Sequence, residues 1–258
     1  MTGTPPVTVS VVIPVRDDAR ELAGCLSLLR GQVVAPFEVI VVDNASRDDS
    51  AAVAARYGAR VVVERRPGIP AAASAGYDAA RGDVIARLDA DSRPGPSWVA
   101  RIADRMSADP TLDAVTGGGR FLDLPFGIGA VVCAAYLGSY YAMAHLALGH
   151  TALWGSNMAL RRSAWTAVEG GVRRFDPEVH DDLDLAFALA PPFRVRLDLG
   201  LVVGVSARSL RGSDQRARRV RRAFKTLRVN WSHRPPWVRW RDRACAGGRS
   251  PSSVRRRA

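Results

Sequence analysis

Residues 84–96 read VIARLDADSRPGP, an apolar run that ends in two aspartates and a turn. The run 84–88 is typical of a buried strand, and the serine, glycine and prolines after it predict a loop. Asp89 and Asp91, two positions apart at the end of a strand, can both reach one hard cation. Such a pair leaves coordination positions for water and phosphate oxygens, as Mg²⁺ and Mn²⁺ prefer. A bare Asp-x-Asp is also typical of a solvated acidic turn, so the rest of the chain must decide.

The chain before this stretch alternates between strand and helix patterns. The predicted elements are strands over 8–15, 37–42, 60–63 and 84–88, and helices over 21–29, 48–57 and 71–80. Alternation of this kind is typical of βα units with a mostly parallel sheet. Because ligands bind outside the carboxyl ends of such strands, we expect Asp17, Asp43 and the Asp89/Asp91 pair to meet at one edge. This convergence favours a binding site over a solvated turn.

The second half of the chain is less regular. Further strands are predicted over 114–119, 195–198 and 201–205. Residues 125–154 contain no Asp, Glu, Lys or Arg, and the segment 126–150 exceeds the length of about 20 residues that a membrane span needs. The segment lies between the Asp89/Asp91 pair and a second acidic cluster that includes Asp182. If both clusters belong to one site, a single crossing would place them on opposite sides of the membrane. We therefore expect a packed helix here, with a lid or a surface that dips into lipid as the alternatives.

The positive charge is concentrated at the C-terminal end. The chain has a net charge of +12, but residues 208–258 carry 17 Lys and Arg against two Asp, and residues 1–207 are slightly acidic. A helix is predicted over 216–231, with an apolar stripe formed by Ala217, Val220, Phe224, Leu227 and Trp231. Such a basic amphipathic helix either lies on an anionic membrane surface or packs against the domain. The last dozen residues have the composition of a disordered tail.

Cysteine usage and the N-terminus indicate the compartment. Cys25, Cys133 and Cys245 are scattered, which predicts neither a disulfide framework nor a zinc site. The first residues lack the basic region of a signal peptide. We expect a cytoplasmic protein, with peripheral attachment to the inner face of the plasma membrane as an option.

Five sequence blocks, taken in order, resemble the family 2 glycosyltransferases, which have the GT-A fold. The blocks are VSVVIPVRDD (9–18), EVIVVDNASRDDS (38–50), GDVIARLDADS (82–92), GSNMALRRSAW (155–165) and FDPEVHDDLDLAFAL (175–189). The resemblance implies an α/β, Rossmann-like GT-A domain over residues 1–207 with a mostly parallel sheet flanked by helices. Its nucleotide-sugar half covers about 1–95 and its acceptor half about 96–207. A basic C-terminal helical extension and tail, 208–258, would follow.

The resemblance also implies roles for individual residues. Asp91, with Asp89 acting through water, would hold Mn²⁺ or Mg²⁺, which neutralises the departing diphosphate. Asp182 would be the general base, with Asp181 in the preceding acidic position, and Asp184 fits a helix-start residue. The implied nucleotide-sugar contacts are Pro14, Val15, Arg16, Asp17, Asp43, Arg66, Gly68, Arg87, Asp89 and Ala90.

The chain departs from the family pattern in several places. Arg16-Asp17 stands where Tyr-Asn is frequent, and the segment 72–76 lacks the usual Arg-Asn pair, for which Arg65 or Arg66 could substitute. The Gln-x-x-Arg-Trp signature of processive synthases is absent after Asp182, which favours transfer of a single sugar. His233 is a candidate third metal ligand, although a surface histidine is the favoured interpretation.

The expected function is a metal-dependent, inverting glycosyltransferase. It would use a UDP, GDP or dTDP sugar and an acceptor hydroxyl or phosphate, with a lipid-linked acceptor among the options. A sugar nucleotidyltransferase is disfavoured because residues 13–18 contain no glycine. A nucleic-acid-binding protein that uses its basic tail is disfavoured because no recognised binding module surrounds the tail, and an acidic cleft would repel a polyanion.

Overall fold

A computed structural model describes residues 7–125, 127–210 and 213–247. The strands are β1 (Val9–Val15), β2 (Glu38–Asp43), β3 (Arg60–Val63), β4 (Val84–Arg87), β5 (Arg93–Pro94), β6 (Ala114–Phe121), β7 (Met158–Arg161) and β8 (Val195–Val205). The helices are α1 (Ala19–Arg30), α2 (Ser50–Arg56), α3 (Ile69–Ala79), α4 (Trp98–Ala108), α5 (Ile128–Leu148), α6 (Arg162–Val168), α7 (Asp181–Ala188), α8 (Ser213–Trp231) and α9 (Pro236–Gly247).

All eight strands form one sheet with the order β3-β2-β1-β4-β7-β6-β8-β5. Strands β1 to β4 are parallel, as predicted. Strand β7 then runs antiparallel to both β4 and β6, β8 is parallel to β6, and β5 is antiparallel to β8. The sheet is therefore parallel in its first half and mixed in its second, and the two segments predicted as separate strands, 195–198 and 201–205, form the single strand β8.

Strand β1 is buried on both faces of the sheet. Val11 and Ile13 pack into one core with residues of α1 and α4, whereas Val12 packs into a second core with residues of α3 and α6. A central parallel strand covered on both faces is a continuous apolar run rather than an alternating one. This explains why β1 was recognisable from its sequence.

Helix α5 is attached to the domain along a narrow stripe. It follows β6 and precedes β7, which are adjacent antiparallel strands with Ala114 opposite Leu160. Its buried residues include Gly129, Cys133, Leu137, Ala144 and Leu148. Within the described chain it is the one helix long and apolar enough to span a membrane, yet only 22% of its most apolar window is buried. The favoured prediction of a packed helix therefore holds only for this stripe, and most of the surface of α5 is exposed.

The C-terminal part contains two helices that lie against the domain. Helix α8 covers the predicted range 216–231, but it buries Thr226 and Asn230 while Val220 and Phe224 of the predicted stripe are exposed. Helix α9 has no counterpart among the predicted elements. The predicted disordered tail lies outside the described residues, as does Phe126 at the start of the predicted 126–150 helix.

Candidate active site

The loops after β1 and β2 form one wall of the site. Asp17, which has a positive φ of 52°, accepts a hydrogen bond from the Arg47 amide at 2.6 Å, and its own amide donates to the Ser46 hydroxyl at 3.2 Å. Asp43, the last residue of β2, accepts from the Ser46 amide at 3.0 Å and lies beside Val15 in the sheet. These contacts bring the predicted segment Pro14–Asp17 close to Asp43 at the carboxyl edge of the sheet.

Asn44 holds the loop after β3 against this wall. Its side-chain amide donates to the carbonyls of Glu64 and Arg66 at 2.9 and 2.7 Å, and its oxygen accepts from the Gly68 amide at 2.8 Å. Sequence reasoning missed this buried residue, although its position directly after Asp43 was a signal. Its contacts bring two predicted residues, Arg66 and Gly68, to the same edge.

Gly68 and Arg66 connect this loop to the segment before α7. Gly68 has a φ of +139°, and a Cβ atom there would lie 3.1 Å from Cβ of Pro177, so a side chain would be strained and crowded. The exposed Arg66 guanidinium stacks over the Phe175 ring at 4.2 Å, a cation–π distance. Arg16 is exposed and its guanidinium lies 3.9 Å from the Asp17 carboxylate.

The Arg87 cluster, formed by Arg87, Asp89 and Asp181, lies at the end of β4. The Arg87 guanidinium is buried and contacts the Asp89 carboxylate at 3.2 Å and, on its other nitrogen, the Asp181 carboxylate. Burial opposes the charge of Arg87, but the neighbouring carboxylates outweigh it and raise its pKa. Burial also raises the pKa of Asp181, against the influence of Arg87. The cluster therefore joins the predicted Asp-x-Asp to the predicted catalytic pair.

Gly155 and Ser156 each form a hydrogen bond to one aspartate of the two predicted pairs, Asp181/Asp182 and Asp89/Asp91. The Ser156 hydroxyl donates to Asp89, and the Gly155 amide donates to Oδ2 of Asp182 at 2.9 Å. The other oxygen of Asp182 accepts from the Leu183 amide at 2.8 Å, so its carboxylate has a defined orientation. A Cβ atom on Gly155 would lie 2.8 Å from Cζ of Arg87, so a side chain at this position would displace the buried guanidinium.

Asp184, the third aspartate of α7, is held by hydrogen bonds to neighbouring protein groups. It is buried, and its carboxylate accepts hydrogen bonds from the backbone and guanidinium of Arg173, both at 2.7 Å, and from Asn230 of α8 at 2.8 Å. Nearby, the His180 amide donates to the Thr226 hydroxyl at 2.9 Å. These contacts attach α8 to the start of α7 and agree with the prediction that Asp184 is a helix-start residue.

The Arg208 cluster, formed by Asp18, Asp91 and Arg208, lies on the other side of the Asp-x-Asp. Nε of Arg208 lies 3.1 Å from the Asp91 carboxylate, and its terminal nitrogen pairs with Asp18. Burial, together with the nearby Asp89 carboxylate, raises the pKa of Asp91 to about 6. Sequence reasoning missed Arg208, because it follows β8 and lies 117 positions from Asp91 along the chain.

The donor set at Asp89 and Asp91 fits a hard divalent cation. In the described ranges no group of three or more His, Cys, Asp and Glu side chains is placed to hold a metal. Asp91, with Asp89 acting through water, would offer the protein ligands, and Mg²⁺ or Mn²⁺ would complete its shell with water and diphosphate oxygens. The guanidinium on Asp91 shows that this carboxylate accommodates a cation. His233 lies in the turn after α8, and its exposed ring contacts Ser232 and the Val229 carbonyl, which agrees with the surface interpretation.

The sheet order and the two aspartate pairs at its carboxyl edge define a GT-A glycosyltransferase fold. The chain belongs to glycosyl transferase family 2, because the model of that family matches residues 10–166. The predicted family and fold class are confirmed.

Two solved structures share the fold. Glucosyl-3-phosphoglycerate synthase from Mycobacterium tuberculosis, in complex with UDP, has a TM-score of 0.60 and 22% identity, and the match covers 87% of this chain and 80% of that one. A mannosyltransferase from Pyrobaculum calidifontis, in complex with GDP-Man and Mn²⁺, has a TM-score of 0.65 and 20% identity over 96% of this chain and 78% of that one.

Curated relatives match over shorter ranges. An uncharacterized glycosyltransferase of Mycobacterium tuberculosis is 38% identical over 109 residues, which is 42% of this chain and 47% of the relative. The undecaprenyl-phosphate 4-deoxy-4-formamido-L-arabinose transferase of Pseudomonas aeruginosa is 39% identical over 112 residues, 38% of this chain and 32% of the relative. The matches therefore span less than half the length of these relatives.

Proposed function

We propose that this protein is a metal-dependent, inverting glycosyltransferase that moves one sugar from a nucleotide-diphosphate sugar to an acceptor hydroxyl or phosphate. The observation that carries the proposal is the pair Gly155 and Ser156, which binds Asp182 with one residue and Asp89 with the next. A sugar transferase needs a site for the leaving diphosphate and a base for the acceptor within one cleft. The two aspartate pairs meet this requirement.

On the donor side, the wall formed by Pro14–Asp17 and Asp43 would receive the nucleoside. Asp43 lies at the strand end, where its free carboxylate oxygen can accept hydrogen bonds from base or ribose. Arg66 and Gly68 lie on the facing loop, with Arg66 available to the diphosphate. The bound UDP and GDP-Man of the two structural neighbours support a nucleotide donor.

Asp91 and Asp89 would hold the divalent cation, and the Mn²⁺ in the Pyrobaculum calidifontis mannosyltransferase supports this assignment. A bound metal supplies neutralisation of the charge that develops on the departing diphosphate. Arg208 would leave Asp91 when the donor binds, which frees its guanidinium to pair with a diphosphate oxygen. Its half-exposed position permits such a movement.

Asp182 would be the general base. Both its oxygens accept backbone hydrogen bonds, which aim the carboxylate, and no cation is paired with it among the described contacts. Asp181 is paired with Arg87 and would position the start of α7. A single base that activates the acceptor from the face opposite the diphosphate gives inversion, and the absent processive signature favours transfer of one sugar.

The acceptor is proposed to be lipid-linked and presented at the inner face of the membrane. Support comes from the relative in Pseudomonas aeruginosa, whose name specifies an undecaprenyl-phosphate acceptor. An assay of sugar transfer from the donor to undecaprenyl phosphate tests this acceptor class, and no transfer to it would contradict the proposal.

The deciding experiment is a thermal-shift panel of UDP, GDP, dTDP and CMP, each with Mn²⁺, with Mg²⁺ and with EDTA. We expect one nucleoside diphosphate to stabilise the protein only when metal is present. Asp91→Asn should lose this stabilisation, whereas Asp104→Asn, the same change at an exposed position on α4, should keep it. Equal stabilisation in EDTA would contradict metal dependence, and no shift with any nucleotide would contradict the donor site.

A further inference from the structure

Helix α5 presents an unusual surface for a helix that lies on the outside of a domain. Its 21 residues include no Asp, Glu, Lys or Arg, and only a narrow stripe is buried. Val131 and Met143 are 70% and 66% exposed, and Leu146 is exposed to a similar extent. Isolated exposed apolar residues are common on proteins, but a continuous uncharged helix face marks an interaction site.

Aromatic residues of α8 and α9 extend this surface. The indole of Trp240 donates to the carbonyl of Leu146 at 2.9 Å, and the indole of Trp231 donates to that of Ala147 at 3.3 Å. Both C-terminal helices therefore reach the last turn of α5. We define the apolar face as the exposed residues Val131, Met143 and Leu146 of α5, Phe224 of α8, and Trp237 and Trp240 of α9.

Positive charge lies on the two C-terminal helices that contribute to this apolar face. Exposed arginines lie on α8 at Arg216, Arg219 and Arg228, and on α9 at Arg241. The acidic residue of α9, Asp242, is paired with Arg234 and lies 3.7 Å from Arg241. Uncharged α5, exposed tryptophans and arginines on the adjoining helices complement an anionic lipid surface, where the apolar side chains enter the headgroup region and each arginine is attracted by lipid charge.

The topology excludes a membrane crossing by α5. Its two ends continue into β6 and β7, which pair with each other in one sheet, so both ends must stay on the same side of a bilayer. If α5 contacts a membrane, it must then lie in the plane of the interface.

We propose that the apolar face of α5, α8 and α9 docks the protein onto an anionic lipid surface. The proposed membrane contact is therefore centred on α5, whereas the sequence analysis predicted contact through the helix 216–231 alone. It also rests on the proposed function in one respect, since the docked surface would be the source of a lipid-linked acceptor.

The buried side of α5 connects the docked surface to the candidate base. The Tyr140 hydroxyl donates to the Leu153 carbonyl at 2.6 Å, and the Tyr141 hydroxyl donates to the Gly117 carbonyl at 2.7 Å. Leu153 lies two positions before Gly155, whose amide binds Asp182. Docking through the outer side of α5 would therefore keep the loop that orients Asp182 close to the lipid plane.

The test is vesicle flotation of the full chain without donor or metal, using phosphatidylcholine vesicles with and without phosphatidylglycerol. We expect binding to the anionic vesicles only. The double variant Val131→Glu/Met143→Glu should weaken binding about tenfold or more, because it places charge in the apolar face. The matched control is Val33→Glu/Val63→Glu, which makes the same kind of change at positions 74% and 61% exposed, and it should bind like the wild type.

Unchanged flotation of the α5 variant, or no flotation of the wild type, would overturn the proposal. A concentration-dependent dimer that the α5 variant abolishes, without vesicle binding by the wild type, would assign the surface to a second copy of the chain. Circular dichroism and thermal unfolding without ligand, measured on the same variants, show that they fold. Because flotation needs no donor, its failure and the failure of the proposed function are distinguishable.

Discussion

Two guanidinium groups stand on opposite sides of the same Asp-x-Asp, in contrasting surroundings. Arg87 belongs to β4, its side chain is 3% exposed, and it pairs with Asp89 and Asp181; Arg208 follows β8, its side chain is 50% exposed, and it pairs with Asp91 and Asp18. A buried charge pair is costly to break, whereas an exposed one contributes little and exchanges easily. From this comparison we expect the Arg87 guanidinium to stay in place when a donor binds and the Arg208 guanidinium to be the one that moves.

The largest expected effect concerns the acid pair that the Arg87 cluster positions. Asp182→Asn should lower sugar transfer about 10³-fold, because the amide cannot accept the acceptor's proton. The metal-dependent nucleotide shift should stay as in the wild type, since Asp182 lies outside the donor wall. Transfer rates and thermal shifts on the same preparation check this. Retained turnover would show that Asp182 is not the base.

The next effect separates the two clusters by stability. Arg87→Met should lower the free energy of unfolding by about 3–5 kcal/mol, because it leaves the partly buried carboxylates of Asp89 and Asp181 unpaired. Arg208→Met, the matched control, should lower it by about 1 kcal/mol or less. Urea denaturation followed by circular dichroism measures both. Equal losses of unfolding free energy in the two variants would show that the two clusters do not differ in their contribution to stability.

The pH dependence of metal binding sharpens the comparison on the Arg208 side. Burial and Asp89 raise the pKa of Asp91 to about 6, so the carboxylate becomes protonated below that pH. Mn²⁺ affinity should therefore fall as pH decreases through about 6, approaching tenfold per unit. Calorimetric titration from pH 5 to about 8 checks this, and an affinity independent of pH would contradict the role of Asp91.

The same pKa shift acts on the stability of the metal-free protein with the opposite sign. A carboxyl whose pKa is raised on folding stabilises the folded state below its unfolded pKa, and that contribution is lost as pH rises through about 6. Metal-free Asp91→Asn should therefore gain stability relative to the wild type between pH 4 and about 7. A relative stability that stays constant over this range would show that Asp91 ionises normally.

The smallest expected effect concerns the competition between Arg208 and Mn²⁺ for the Asp91 carboxylate. Arg208→Met should raise the Mn²⁺ affinity of the nucleotide-free protein by a few-fold, because the cation no longer displaces a half-exposed guanidinium. Calorimetric titration at neutral pH measures the change, with Arg101→Met on α4 as a control for the loss of a surface arginine. A weaker affinity in Arg208→Met would show that Arg208 supports the metal site instead.

The first half of the fold could be predicted because its information is local. Strands β1, β2 and β4 are apolar runs that end in carboxylates or turn residues, and parallel βα units place those ends together. The second half could not be predicted in this way. Strand β7 has only four residues, and the two segments of β8 are joined by an irregular register opposite Gly117 and Gly118.

The helices outside the sheet show the same limit. The apolar spacing of α8 predicted a stripe of which Leu227 and Trp231 pack against the core, whereas Val220 and Phe224 are exposed. Thr226 and Asn230 are also buried, and their hydrogen bonds to His180 and Asp184 offset that burial. Helix α5 is apolar on all sides, which usually predicts a buried helix. The tertiary structure covers only a stripe of it, so most of its surface remains exposed.

By itself, the sequence determined the family, the parallel β1–β4 unit and the identity of the carboxylates that follow its strands. Spacing along a strand decides where a side chain leaves the sheet, and that information is contained within a few residues. The tertiary structure alone decided which groups surround those carboxylates. Arg87 contacts Asp181, 94 positions away along the chain, and Arg208 contacts Asp91, 117 positions away. Contacts between such distant residues depend on the order of the strands in the sheet rather than on any local sequence pattern.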